Sequence, residues 1–165
     1  MEEVKERYVQ RKLAVLLRMA DFKEIIHTYY VGNDDSLHFN PRALTDWNNF
    51  DYYYSAPTQQ MAREWIETKY KLFIEIRGGA DIDRDGRIIE TSVWFDYDII
   101  PLSKNSPKVP AVPPDDGIVT YEHTWEALEA AMEYILTDII LSPSTVEPDK
   151  DDFDRGFTKM MLNEL

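Results

Sequence analysis

TWEALEAAMEYILTDIIL, residues Thr124–Leu141, carries the clearest periodicity in the chain. Leu128, Ala131, Met132, Ile135, Leu136, Ile139 and Ile140 recur at the spacing of one helical face. Glu126, Glu129, Glu133 and Asp138 fall on the other side, and Thr124 is placed to cap the first turn. A helix this one-sided has to bury its stripe against something. The alternating run Arg87–Leu102 is the natural cover, because a sheet face and a helix stripe hide each other from water.

Working outward, three segments read as strands: Lys71–Arg77 (KLFIEIR), Arg87–Leu102 and Ile118–Glu122. In the first, Leu72, Ile74 and Ile76 alternate with Phe73, Glu75 and Arg77, and Gly78-Gly79 is expected to break the strand. Thr58 opens a helix after Pro57, with Met61, Ala62, Trp65, Ile66 and Tyr70 inward and Arg63, Glu64, Glu67 and Lys69 in water. Glu2–Ala20 reads as an N-terminal helix on the stripe Val9, Leu13, Leu16, Leu17 and Ala20. Asp21–Tyr30 fits a second short helix slightly better than an extended segment. Residues 31–57 read as an irregular, aromatic connection. Prolines 107, 110, 113 and 114 make Ser103–Gly117 a stiff exposed excursion.

The expected fold is therefore α+β: an antiparallel sheet of about three strands with helices on one face, in the order α-(α)-α-β-β-β-α. Residues 1–142 are expected to form one domain, and 143–165 an acidic linker with a short amphipathic C-terminal segment.

The formal charge of −13 in 165 residues repels phosphate backbones, so nucleic acid is a disfavoured partner and a protein, in particular a basic one, a favoured one. No apolar run approaches the roughly 20 residues needed to span a bilayer. The charged start MEEVKERYVQRK lacks the apolar core of a secretory signal, which makes the cytoplasm the expected setting. With no cysteine, disulfides, thiolate catalysis and cysteine-ligated zinc are excluded.

Two stretches carry a resemblance. YSAPTQQMAREWIETKYKLFIEI (Tyr54–Ile76) and YEHTWEALEAAMEYIL (Tyr121–Leu136) resemble a family of small proteins from phages and prophages of gut bacteria. In that family a Y-x-A-P-T helix start leads into a strand, and an E-A-x-x-A-A helix closes the domain. Trp125 stands where the pattern is usually acidic. The resemblance implies a phage-related origin and a host-cell cytoplasmic setting. The family has no assigned activity, so it transfers no catalytic residue.

The most specific local motif is Asp81-Ile82-Asp83-Arg84-Asp85-Gly86-Arg87-Ile88. It matches the first eight positions of an EF-hand calcium loop, with carboxylates at one, three and five and glycine at six. Ser92 stands at position twelve, where a bidentate carboxylate belongs, and the flanks read as strands. A two-residue hairpin turn at Asp85-Gly86 explains the same residues without an ion. Calcium on Asp81, Asp83 and Asp85 is thus one reading and a plain turn the other; no other cofactor is expected.

Acidic pairs at Asp34-Asp35, Asp96 with Asp98, and Asp115-Asp116 leave a carboxylate-metal enzyme as a further alternative. Asp96 and Asp98 are expected on the solvent face. His27 and His123 lack metal-spaced or nucleophilic partners, and no phosphate loop, nucleophile elbow or H-E-x-x-H is present. The leading expectation is a non-enzymatic protein that binds another protein. Trp47, Phe50 and Tyr53 in the aromatic connection, and Phe153 and Phe157 in the C-terminal segment, are the candidate contacts. The C-terminal segment is also a candidate for self-association.

Overall fold

The computed structural model describes residues 6–110 and 119–142. The chain is α+β and divides into two compact units, one built on Tyr8–Pro57 and 136–142, the other on residues 6–7 and Thr58–Ile135.

In the first unit, helix α1 (Arg11–Met19) buries Leu13, Ala14 and Leu17. It ends in a paired cap. Asp21 takes a left-handed φ of 68°, its N–H reaches the Arg18 carbonyl at 3.0 Å, and the Phe22 N–H reaches that of Leu17 at 2.9 Å. Phe22, fully buried, anchors the turn. The chain then forms a three-stranded antiparallel sheet, β2-β1-β3, from β1 (Thr28–Val31), β2 (His38–Phe39) and β3 (Tyr53–Ser55). Thr28 and Tyr30 point inward, and their hydroxyls donate to the Ala56 and Val9 carbonyls at 2.6 and 2.8 Å.

In the second unit, Thr58 caps α2 (Gln59–Tyr70) by accepting the Met61 N–H at 3.2 Å. Lys71, with φ 55°, turns the chain directly into β4 (Leu72–Gly79), which pairs antiparallel with β5 (Trp94–Pro101). Leu72, Ile74 and Ile99 occupy the face covered by α2 and by α3 (Thr124–Tyr134), whose Ala127, Ala131 and Met132 are buried. Small residues on α3 let its backbone approach the sheet closely.

Several expectations change. α1 starts at Arg11 rather than Glu2, and residues 2–5 lie outside the described residues. The preceding backbone is pinned in extended form: the Arg7 carbonyl accepts from Gln59 at 2.8 Å and the Val9 N–H donates to Pro57 at 3.0 Å. Asp21–Tyr30 is not a helix, because the left-handed Asp21 stops α1 and Thr28–Val31 alternates in and out as a strand.

The strand order is likewise not β-β-β after α2. The three-stranded sheet comes from residues 28–55, read as helix and irregular chain, and β4–β5 is a two-stranded ribbon. Residues 87–93 form no part of β5; a short 3₁₀ turn, Glu90–Ser92, intervenes. The expected third strand, 118–122, contributes one reciprocal pair, Phe95 N–H to Tyr121 at 2.9 Å and Tyr121 N–H to Phe95 at 2.8 Å; residue 118 lies outside the described residues.

His123, not Thr124, precedes the first turn of α3, and Glu126 accepts its N–H at 3.2 Å. After Tyr134 the helix widens into a π-helical stretch, Ile135–Ile140. That wider turn lets the adjacent Ile135 and Leu136 both be buried, with Ile139, while Thr137 and Asp138 face water.

Gly78 and Gly79 do not break β4. They lie opposite Phe95 and Trp94, whose rings cross the space a side chain would fill: a Cβ would meet Phe95 at 2.8 Å and Trp94 at 2.5 Å. Gly78→Ala is therefore expected to cost about 1–3 kcal/mol in urea unfolding. The cost should shrink in a Phe95→Ala background; equal costs in both backgrounds would contradict the contact.

Candidate functional site

The acidic loop is a hairpin turn. The Asp83 N–H donates to the Arg87 carbonyl at 2.8 Å, and the Gly86 N–H donates to that of Asp83 at 3.1 Å. One carboxylate oxygen of Asp83 accepts the N–H groups of Asp85 and Arg87, each at 2.9 Å. Gly86 has φ 79°, so Arg84-Asp85-Gly86 is a three-residue connection closed by a left-handed glycine, not a two-residue one. Ser92 donates to the Ile89 carbonyl at 2.6 Å and accepts the Asp81 N–H at 2.7 Å. Among the described residues no three His, Asp or Glu side chains are grouped to hold a metal ion.

The outer face of the β4–β5 ribbon explains the other acids of this unit. Arg77 grips Asp96 with two bonds, 3.0 and 3.1 Å, and lies 3.7 Å from Asp98. The hydrogen bond to Asp96 is the main reason the Arg77 guanidinium titrates above its ordinary range. Asp96 is buried beneath this clamp rather than solvent-facing as expected. Asp34 sits in the other unit, held below the usual carboxylate range chiefly by the Ser36 N–H, with His38 3.2 Å away. Asp115-Asp116 lies outside the described residues.

The aromatic segment is half anchor, half surface. Trp47 is 8% exposed; its indole N–H donates to the Ile26 carbonyl at 2.8 Å, and its ring stacks on Tyr29 and Tyr53. Trp47 thus holds the connection down. Tyr53 is half-buried, and Phe50 and Tyr52 are exposed. Phe153 and Phe157 lie outside the described residues.

Beside this anchor is a surface the sequence reading passed over. Ile26 and Thr45 exchange both backbone bonds, at 3.0 and 3.2 Å, which turns Ile25, His27 and Leu44 outward together. Phe39 meets the His27 ring edge-on at 5.8 Å. Ile25, Phe39 and Leu44 are 59, 62 and 53% exposed. His27 itself is fixed: its Nδ1 lies 3.0 and 2.9 Å from the Asn40 and Ala43 carbonyls, so that nitrogen carries the proton. Strand alternation around residues 25–31 was the signal that would have found this face.

A second missed feature lies in the other unit. A groove of about 370 Å³ is lined by Ile76, Arg77, Gly78 and Phe95 of the ribbon, Gln59 and Arg63 of α2, and Thr124, Trp125 and Leu128 of α3. Two side chains expected in water are committed to the Ile74 backbone instead. Arg63 donates to the Ile74 carbonyl at 2.5 Å and to Glu67 at 3.0 Å, and Glu67 accepts the Ile74 N–H at 2.9 Å. Glu129, also expected in water, is 5% exposed and accepts from Gln59 at 2.6 Å. Met61, expected inside, is exposed.

No helix among the described residues is long and apolar enough to cross a membrane. The hairpin geometry predicts that millimolar calcium, against a magnesium control, leaves the melting temperature unchanged. A saturable calcium-specific rise, about 2.7 kcal/mol at 100 times Kd, would instead make the loop an ion site. Compared with protein-family models, curated proteins and solved structures, the chain finds no match.

Proposed function

We propose that this chain is an acidic, phage-type protein of the host cytoplasm that acts by binding another protein rather than by catalysis. The observation that carries this reading is the exposure of Ile25 and Leu44 on one side around His27, with the exposed Phe39 against the edge of the His27 ring. Apolar side chains gathered on one surface of a small unit are costly in water and gain about 25 cal/mol for each Å² a partner covers. The neighbouring segment is held by the stack of Trp47 on Tyr29 and Tyr53, so little order has to be gained on binding. With a net charge of −13, the favoured partner has an apolar patch with a basic rim. The resemblance of Tyr54–Ile76 and Tyr121–Leu136 to phage and prophage proteins supports the setting.

The test is site-specific photocrosslinking in host cells. A benzoylphenylalanine at position 39 should capture one protein, the same residue at exposed position 104 should not, and Leu44→Asp should abolish the capture. Identical capture from positions 39 and 104, or capture indifferent to Leu44→Asp, would overturn the reading.

A further inference from the structure

The open edge of β4 offers a second, separate interaction surface. Leu102 donates to the Lys71 carbonyl at 2.9 Å, which sets the phase of the ladder: residues 73, 75 and 77 bond to β5, and 74, 76 and 78 turn their backbone groups away from it. Ile74 confirms the phase, since Glu67 and Arg63 satisfy its N–H and carbonyl. Ile76 and Gly78 have no such cover, and no strand pairs with this edge among the described residues. The groove reaches this strand and also takes in Phe95 of β5 and residues of α2 and α3. It is lined by three consecutive residues, Ile76, Arg77 and Gly78, although alternate side chains leave a strand on opposite faces.

We infer that this edge accepts the extended C-terminal end of a partner polypeptide as an added antiparallel strand, its last side chain apolar and its terminal carboxylate at Arg63. Four features define that occupant. Paired N–H and carbonyl groups at strand spacing are met by another extended backbone. The Arg63–Glu67 cap on Ile74 stops an added strand there, so a chain terminus fits where a continuing chain would have to leave. Arg63 spends Nε on Glu67 and one terminal nitrogen on Ile74, which leaves the other terminal nitrogen with no acceptor among the described residues. Ile76, Phe95, Trp125 and Leu128 supply an apolar wall.

Charge agrees. The ionisable residues lining the groove, Arg63 and Arg77, are both cationic in a chain of 31 acidic and 18 basic residues. Asp96 takes two bonds from Arg77, whereas Glu67 takes only one from Arg63, so Arg63 is the residue assigned to the carboxylate.

The surface lies in a different unit from the Phe39 face, and either can fail alone. The experiment is selection of the full chain against a library of random heptapeptides displayed with free C-termini. The best binder is then resynthesised with a free carboxylate, as the C-terminal amide, and N-methylated at each position in turn. The strand reading expects enrichment of an apolar last residue and a loss of about ten- to a hundredfold on amidation. N-methylation should weaken binding at every second residue only, and Arg63→Lys should narrow the gap between acid and amide. No enrichment, equal affinity of acid and amide, or N-methyl effects without a period of two would each overturn the proposal. Changes made on the peptide leave the fold untouched.

Discussion

A two-stranded ribbon cannot stand alone in water, and the unit formed by Thr58–Ile135 is organised around that constraint. One face of β4–β5 must be covered, and α2 and α3 cover it. Leu72, Ile74 and Ile99 are buried on this face, as are Ala127, Ala131 and Met132 of α3, which packs on both strands. On the far face Arg77 bridges Asp96 and Asp98, which lets carboxylates sit on a strand without mutual repulsion. At the edge, α2 spends Arg63 and Glu67 on capping Ile74, which terminates the ribbon locally instead of adding a strand.

The other unit meets the same demand differently. Its strands are short, and aromatic stacking replaces sheet area: Trp47 lies against Tyr29 at a ring separation of 4.0 Å and against Tyr53 at 5.8 Å. Side chains bind the loops to the helix end as well. Asn48 donates to the Phe22 carbonyl at 2.8 Å and accepts the Ser55 N–H at 2.9 Å. Ile25, Leu44 and Phe39 stay outward, as do Leu37, Phe50 and Tyr52.

Local chemistry was readable where it was strong. Thr58 as a cap, the stripe of Ala62 and Ile66, and the alternation of Leu72 and Ile74 each point to one structure, and each is found. Reading failed where two periods fit the same letters. Ile25, Ile26, Tyr29 and Tyr30 satisfy the spacing of a second helix, but Ile26, Thr28 and Tyr30 are buried alternately along an extended chain. Polarity misled at Arg63, Glu67 and Glu129, since their partners are a strand edge and Gln59, which are adjacent only after folding. The groove and the open edge were illegible for the same reason: an unpaired backbone group is a property of pairing, not of a residue.

Residue-resolved amide hydrogen exchange along β4 tests this architecture most directly. Phe73, Glu75 and Arg77, bonded to β5, and Ile74, bonded to Glu67, should exchange slowly, while Ile76 and Gly78 exchange fast. Uniform protection from residue 73 to 78 would show the edge covered, and uniformly fast exchange would show that the ribbon is not held against α2 and α3; either result contradicts the account.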